Sequence, residues 1–348
     1  MINQFKNKTI LVTGGTGSIG SEIVRQLLEQ GVKQVRIFSR DESKQFELAH
    51  TLNNDLRLRF LIGDIRDKER LDLAMEDVDI VFHAAALKHV VACERNPFEA
   101  IKTNIQGTQN VIDCAFKNRV DKVIGVSTDK AASPTNVMGC TKLLAERLML
   151  ATYFYKGNKT TRFCCVRFGN VLASRGSVIP LFLKQIKMGV AVTITDPNMS
   201  RFFMSIPQAV DLIFKSAQIM RDREIFILKM PVATIGGIVN SLIDIVKESN
   251  PEMKLSTIKV IGKRAGEKKH EKLLTDDEAE SALETKDMFI IRPDVGMETG
   301  HNLPEERYPQ AIHAKHKEYA SDKQKKMTKA EIKKLLMSIR NLDFLIRA

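Results

Sequence analysis

The feature that most restricts this chain lies near its start. Thr9-Ile10-Leu11-Val12-Thr13 runs into Gly14-Gly15-Thr16-Gly17-Ser18-Ile19-Gly20, and residues from Ser21 to Gln30 then follow helical spacing. The first segment is short, apolar and β-branched, the composition of a parallel strand buried on both faces. Glycines at 14, 17 and 20 permit a tight turn, a close approach of backbone to phosphate, and close packing of helix on strand. The helix N-terminus then offers free N–H groups and the positive end of its dipole to a pyrophosphate. Set between a strand and a helix, this glycine run predicts a dinucleotide-binding βαβ unit.

The unit repeats. Gln34 to Ser39, Leu58 to Ile62, Ile80 to His83, Lys122 to Val126 and Thr161 to Phe168 read as further strands separated by helical patterns. One helix is expected over Pro97 to Phe116, with Asn96 as N-cap and Pro97 in the first helical position. Asn104 falls near its middle, where Asn is a poor helix former, so a polar task is expected of it. The alternation predicts an α/β fold, a doubly wound parallel sheet of the Rossmann kind, with a smaller C-terminal substrate-binding region. The expected limits are 1–190 for the dinucleotide-binding domain (with a sheet return from 205–235), 191–300 for the substrate region, and 301–348 for a tail. That tail is polar, carries three His that do not form a metal site, and ends in an amphipathic helix from Thr328 to Leu342. It reads as a lid or an oligomer-docking element.

Composition narrows the partners. The 348 residues are 43% hydrophobic and 28% charged, ordinary for a soluble globular chain. A formal charge of +12 admits nucleic acid, an anionic surface or a phosphorylated substrate. Much of that excess lies between Lys263 and Lys272 and between Lys315 and Lys334, interleaved with Glu and Asp, as on a solvated basic face. No nucleic-acid partner is therefore expected. Five Cys, at 93, 114, 140, 164 and 165, lack paired metal spacing and read as reduced thiols of a cytosolic protein. With no signal-like start and no apolar run of 18 residues, the expectation is a soluble, cytoplasmic protein without a membrane partner.

Candidate site residues gather at predicted strand ends, where ligand chemistry occurs in such sheets. An acid ending the second strand would bond the ribose 2′-OH of NAD, whereas Arg beside a small hydroxyl suits a 2′-phosphate. Ser39-Arg40 thus favours NADP, although Arg40 also fits a plain pair with Asp41 or Glu42. Asp64 is expected near the adenine, and the small residues Ala84, Ala85 and Ala86 would let backbone lie against the dinucleotide. His83 reads as structural. The fifth strand ends in Ser127-Thr128-Asp129-Lys130, and Met138 and Lys142 follow one helical turn apart on a common face. Arg201 and Arg264 are well-typed diphosphate ligands, each also readable as a surface arginine. If Asp129 is an acid and Lys130 a base, burial should raise the first pKa and lower the second.

These residues carry a resemblance. Thr13-Gly14-Gly15-Thr16-Gly17-Ser18-Ile19-Gly20, Phe38-Ser39-Arg40-Asp41-Glu42, His83-Ala84-Ala85-Ala86-Leu87-Lys88 and Lys102-Thr103-Asn104 open the series. Ser127-Thr128-Asp129-Lys130-Ala131, Arg167-Phe168-Gly169-Asn170-Val171, Ser174-Arg175-Gly176-Ser177-Val178-Ile179-Pro180, Met199-Ser200-Arg201-Phe202 and Gly266-Glu267-Lys268-Lys269 complete it. Over nearly its whole length the chain resembles the extended short-chain dehydrogenase/reductases, and within them the inverting UDP-N-acetylglucosamine 4,6-dehydratases of polysaccharide biosynthesis. Met138 stands where the family usually has the Tyr of Tyr-x-x-x-Lys, a departure similar to a subgroup acting in capsule and O-antigen amino-sugar synthesis.

The resemblance implies oxidation at C4 by NADP, removal of the C5 proton by Lys130, protonation of the leaving 6-hydroxyl by Asp129, and return of hydride to C6. Thr128, Lys142 and Met138 complete the catalytic set. It implies cofactor contacts from Gly14, Thr16, Gly17, Ser18, Ile19, Gly20, Ser39, Arg40, Lys44, Asp64, Ile65, Ala84, Ala85, Ala86 and Lys142. Substrate contacts fall to Lys88, Asn170, Ser177, Val178, Arg201, Arg264 and Glu267, with UDP-N-acetylglucosamine as substrate, no metal, and a homo-oligomer, dimer or hexamer. A thioether is a poor proton acceptor, so the C4 hydroxyl proton must pass to Lys142, Thr128 or water. Tyr155 with Lys159 and Tyr319 with Lys323 repeat the usual spacing by coincidence. A nucleotide-sugar 4-epimerase and a non-catalytic NADP-binding sensor are the alternatives.

Overall fold

A computed structural model describes residues 3–252, 256–264, 266–292, 308, 310–339 and 342. The apolar runs become strands β1 (Thr9–Thr13), β2 (Gln34–Ser39), β3 (Leu58–Ile62), β4 (Ile80–His83), β5 (Lys122–Val126) and β6 (Arg162–Arg167). Then come β7 (Asn170–Val171), β8 (Val192–Ile194), β9 (Ser200–Met204), β10 (Glu224–Leu228), β11 (Val232–Thr234) and β12 (Ile258–Val260). The last are β13 (Lys272–Leu274), β14 (Leu283–Glu284), β15 (Met288–Ile291), β16 (Ile312–His313) and β17 (Tyr319–Ala320).

The main sheet is α/β and doubly wound. Strands β3-β2-β1-β4-β5-β6-β10 are parallel throughout, and β15, β14 and β16 extend that edge antiparallel. Strand order reverses between β1 and β4, which opens a crevice above their carboxyl ends. Helices Ser18–Glu29 and Ile206–Ile219 pack together on the sheet, while Lys68–Met75, Gly107–Lys117 and Val137–Leu150 pack in series. Continuous apolar strands follow from this double cover. Ile10, Leu11 and Val12, with Phe82, Phe163, Phe226 and Phe289, have no measurable exposure.

A second core is built from separated segments. It joins Leu172, Phe182, Ile186, Val192, Phe203, Ile238, Leu242 and Leu336. The second lobe therefore starts at Leu172 and leaves β10 to the main sheet. Residues 272–291 belong with the first core, because β15 pairs with β10 and β13 pairs with β17. The helix expected at the end of the tail runs Lys329–Met337 under a Thr328–Glu331 capping box. It buries Ile332 and Leu336 against helix Ile235–Ser249 and pairs Lys329 with Asp244, so it is a wall of the second lobe. The tail segments 301–307 and 343–348 lie outside the described residues. Among the described residues no helix is long and apolar enough to cross a membrane.

Candidate active site

The glycine turn forms as its sequence dictates. Gly14 has φ +66°, and a Cβ there would lie 2.8 Å from Ala85 Cα. A Cβ on Gly20 would lie 2.3 Å from the Gly14 carbonyl oxygen, so only glycine lets the helix sit this close to the turn. Helix Ser18–Glu29 begins at Gly17 with no side-chain cap, leaving its first N–H groups open to an anion. Thr16 is buried, and Ile19 packs against the main core. Ala84 N–H donates to the Thr13 carbonyl, which lays the Ala84–Ala86 segment alongside β1. An uncapped helix start beneath a close backbone approach fits a dinucleotide diphosphate.

At the end of β2, Ser39 is buried, and its carbonyl and hydroxyl oxygens accept from Gln45 Nε2 at 3.1 and 3.0 Å. Asp41 caps the next helix and pairs with Lys44. Arg40 projects into solvent, 3.7 Å from Asp64. Asp64 is already held by Arg66 at 2.7 Å, which in turn reaches Glu99 at 2.6 Å. Arg40 is thus the guanidinium with most freedom to meet a ligand beside Ser39. Ile65 is buried behind it, filling the space that a side chain at Gly107 would need.

A loop from the second lobe closes over this turn. Arg175 donates its N–H to Ser18 Oγ at 2.9 Å and its guanidinium to the Thr16 carbonyl at 2.8 Å. Lys88 Nζ donates to the Arg175 carbonyl at 2.8 Å, and burial together with Arg175 pulls the Lys88 ammonium down. Gly176 has φ +72° and faces the His89 ring, where a Cβ would come within 2.5 Å. Sequence reasoning gave Arg175 no role. Its place in the Ser174-Arg175-Gly176 run was the only signal.

The centre lies at the end of β5. Thr128 Oγ1 and Lys130 Nζ both donate to Asp129 Oδ1, each at 2.9 Å. Asp129 has no measurable exposure, and its Oδ2 has no hydrogen-bond partner among the described residues. Ser127 Oγ, Asn170 Oδ1 and Ser177 Oγ are likewise buried without partners. A buried polar atom left unpaired is costly; those of Ser127 and Asp129 follow the end of β5 and that of Asn170 follows β6, at the carboxyl edge of the sheet where a polar ligand belongs. Gly169 keeps the approach open, since a Cβ there would crowd Phe202 at 2.6 Å and come 3.4 Å from Asp129 Oδ2.

The charge state of Lys130 differs from the sequence expectation. Burial acts to lower its pKa, but the carboxylates of Asp129 and Glu271 outweigh burial, and the pKa is raised. Glu271, 3.9 Å from Lys130, is the acid that sequence reasoning missed. Lys142 does move down, through burial that Cys165 and Glu146 only partly offset, and its Nζ donates to the Val126 carbonyl at 2.6 Å. Met138 is buried in a small apolar cluster with Cys93 and Ala100, edged by Leu87, Val90 and Val137, so it acts here as packing.

Three further residues resolve. Arg201 is buried: NH1 donates to the Ser200 and Lys269 carbonyls at 2.8 and 2.9 Å, NH2 to the Lys268 carbonyl at 2.7 Å. Those acceptors hold the guanidinium within the protein and turn it from the diphosphate contact expected of it into a strap on residues 268–269. Arg264 is exposed, and Glu267 accepts from its backbone N–H at 3.2 Å. Val178 opens helix Val178–Lys187 behind Ser177, which caps nothing.

His83 bonds Thr13 through Nδ1 at 2.7 Å and Thr108 through Nε2 at 3.2 Å. Burial and the Lys142 charge push its pKa to about 3, so it stays neutral and structural. Asn104 does the polar work expected of it. It sits in a π-helical turn, Ile101–Gln106, and bonds the Leu87 N–H and carbonyl at 2.8 and 3.0 Å and Thr141 Oγ1 at 3.0 Å. Tyr155 donates to the Leu148 carbonyl, while Tyr319 lies on β17, stacks on Phe202 and donates to the Met230 carbonyl within the main core. No cluster of metal-ligating side chains occurs among the described residues.

Comparison with known proteins follows the same lines. A family model described as polysaccharide biosynthesis protein matches residues 10–293. The chain is 45% identical over 293 residues to a UDP-N-acetylglucosamine 4,6-dehydratase (inverting) of Campylobacter jejuni, covering 84% of each chain. It is also 42% identical over 342 residues to a UDP-glucose 4-epimerase of Rickettsia rickettsii, covering 96% of this chain and 97% of that one. Among solved structures, Pen from Bacillus thuringiensis superposes with a TM-score of 0.89 at 44% identity, over 97% of this chain and 99% of the other. The dTDP-glucose 4,6-dehydratase DesIV of Streptomyces venezuelae, solved with NAD and TYD bound, gives 0.66 at 25% identity, over 74% and 86%.

Proposed function

The chain belongs to the polysaccharide biosynthesis protein family, among the extended short-chain dehydrogenase/reductases, and from that premise we propose that it is a C5-inverting UDP-N-acetylglucosamine 4,6-dehydratase using NADP. The observation that carries the reading is the Asp129–Lys130 contact of 2.9 Å, with Asp129 Oδ2 unpartnered. An epimerase needs only the redox step at C4, whereas elimination across C5 and C6 also needs an acid and a base side by side.

The bound nicotinamide supplies a hydride acceptor for C4 and a donor for C6. The protein supplies proton transfers. Lys142, lowered by burial and anchored to the Val126 carbonyl, is the amine that takes the C4 hydroxyl proton. Transfer of one proton from Lys130 to Asp129 along their hydrogen bond then creates a neutral amine and a neutral acid together. That exchange removes one buried and one partly buried charge, which offsets the unfavourable direction of the transfer. Lys130 removes the C5 proton, acidified by the adjacent ketone, and Asp129 delivers its proton to the departing 6-hydroxyl, releasing water. Thr128 orients Asp129 Oδ1 throughout.

Other features support the finer reading. Ser39 beside an exposed Arg40 suits NADP. Lys88, Asn170, Ser177 and Arg264 carry donors and acceptors that suit a UDP-sugar. Phe98, Ile101, Leu144 and Phe154 are exposed on neighbouring segments and support a homo-oligomer. Five free thiols suit a reducing, cytoplasmic setting.

The test is incubation with UDP-N-acetylglucosamine in deuterium oxide, followed by mass and NMR analysis. The expected product is lighter by the elements of water, carries one solvent deuterium at C5, and has L-configuration there. A second reading, a UDP-sugar 4-epimerase, is favoured by the full-length relatives that carry that name. An isomer with mass unchanged apart from exchange would establish it and overturn the first.

A further inference from the structure

Glu271 leads into β13, which packs on the Asp129–Ala131 turn. Its backbone is fixed on Ser321: its N–H donates to Ser321 Oγ at 3.0 Å, and its carbonyl accepts the Ser321 N–H at 2.8 Å. The side chain is 4% exposed, and three cations lie near it. Lys130 Nζ and Arg201 Nε each lie 3.9 Å from Oε1, and Lys268 Nζ lies 3.9 Å from Oε2. None of the three is within hydrogen-bond distance, and Oε2 has no hydrogen-bond partner among the described residues.

Two of those cations are held elsewhere. Arg201 is bonded to the backbone of residues 200, 268 and 269, and Lys268 donates to the Ala132 carbonyl at 2.8 Å. Lys130 differs, because its hydrogen bond goes to the side chain of Asp129, itself able to take a proton. The remaining titratable neighbours are Glu267, 3.9 Å from Arg201, and His270, whose Nδ1 shares a hydrogen bond with Ser200. Burial pushes the Glu271 carboxyl up, with Asp129 adding to it, against the pull of Lys130, Arg201 and Lys268.

We propose that Glu271 is a positioning residue that acts through Lys130, governing the proton shared by Lys130 and Asp129. As a carboxylate it holds Lys130 as an ammonium. As a carboxylic acid it withdraws that charge and lets the proton cross to Asp129, which makes the pair an acid and a base. The transfer breaks one N–H bond and forms one O–H bond within the pair, and it needs no co-reactant. The inference rests on the reading of Lys130 as the base at C5.

Its test reads Lys130 directly, apart from turnover. Full-length protein is pulse-labelled with acetic anhydride across pH, and acetylation of the Lys130 peptide is followed by mass spectrometry. In Glu271→Gln the midpoint of Lys130 reactivity should fall by about one pH unit or more, as expected for losing a nearby opposite charge. Glu271→Asp should bring it back toward wild type. A Gln variant with an unmoved midpoint overturns the proposal. The reciprocal measurement leaves Glu271 unchanged: in carboxyl-13C-labelled protein, Lys130→Met should move the Glu271 titration to higher pH, and no movement overturns the proposal as well. A shifted midpoint in protein that never dehydrates a UDP-sugar would sustain the Glu271 coupling while refuting the dehydratase reading.

Discussion

Arg167→Met should be the most damaging single substitution away from the chemistry. The guanidinium has no measurable exposure and makes five hydrogen bonds: to Glu146 at 3.1 and 2.7 Å, to Glu278 at 2.8 and 2.9 Å, and to the Leu273 carbonyl at 2.9 Å. Methionine nearly fills the volume but leaves two largely buried carboxylates facing each other. Breaking a buried pair in this way costs about 3–5 kcal/mol. With an unfolding entropy of roughly 2.1 cal/mol/K per residue, 348 residues give about 0.7 kcal/mol/K, so the midpoint should drop by about 4–7 °C. The sign of the pH dependence is fixed as well. Burial acts to raise the Glu278 pKa, but bonding to Arg167 more than reverses it, and the net value is lowered. In wild type that interaction stabilises the fold above the ordinary carboxyl pKa and is lost as pH falls through the depressed one. Without Arg167, burial is left to raise the Glu278 carboxyl, so the variant's deficit should be full near pH 8 and shrink on acidification. Thermal melts of both proteins at pH 8 and pH 5.5 measure this. A midpoint drop under 2 °C, or a gap that does not narrow on acidification, would refute the account. Glu146→Leu with Arg167→Met and Glu278→Leu should recover most of the loss, since replacing the whole buried network by apolar groups is often neutral.

Three other outcomes are expected. Arg40→Asp should weaken NADP relative to NAD by about 1.5–3 kcal/mol, the worth of a charged hydrogen bond; equal titration curves for the two cofactors in wild type would remove the basis for the assignment. Met138→Tyr should leave turnover unimproved and lower stability by about 1–3 kcal/mol, because the larger phenol overpacks the Cys93–Ala100 cluster; a tenfold rise in kcat, about 1.4 kcal/mol of barrier, would show that a phenol was the missing group. Asn104→Ala should cost about 1–3 kcal/mol, through loss of its bonds to the Leu87 N–H and carbonyl, and should raise KM for the sugar nucleotide more than it lowers kcat; unchanged stability would mean that water replaces the amide.

The strands were legible because each is a short run dominated by apolar residues, interrupted inside only by Arg36 in the second and Arg59 in the third. Thr9–Thr13, Gln34–Ser39, Leu58–Ile62, Ile80–His83 and Lys122–Val126 have the ends that their sequence implies, and turn chemistry bounds each. Local signals failed where position depends on distant chain. The run expected as one helix from Pro97 to Phe116 contains a π-helical turn at Ile101–Gln106, and only the misplaced Asn104 hinted at it. Arg201 looked like a phosphate ligand by type, but its donors meet carbonyls at residues 268 and 269, a pairing that no periodicity encodes. Glu271 was hidden in Lys268-Lys269-His270-Glu271-Lys272, a run that reads as a solvated basic face. Its burial follows from packing of β13 on the Asp129–Ala131 turn.

That strap also explains how the site is held. Gly266 accepts from Thr135 Oγ1 and Asn136 Nδ2 at 3.1 and 3.0 Å, and Lys268 reaches the Ala132 carbonyl. Asn136 in turn caps helix Val137–Leu150, the helix that carries Lys142 and Glu146. One segment therefore touches the turn bearing Asp129 and Lys130, bonds the residue that caps the helix bearing Lys142, and leads through Leu273 to the Arg167 network. The two amines invoked in the chemistry sit on elements that this segment joins. Burial acts to lower both pKa values; at Lys130 the Asp129 carboxylate and then Glu271 outweigh it, whereas at Lys142 Cys165 and Glu146 do not. Glu271 comes within 3.9 Å of Lys130, while burial dominates at Lys142. In the proposed reading Lys130 is the base at C5 and Lys142 the amine that takes the C4 hydroxyl proton.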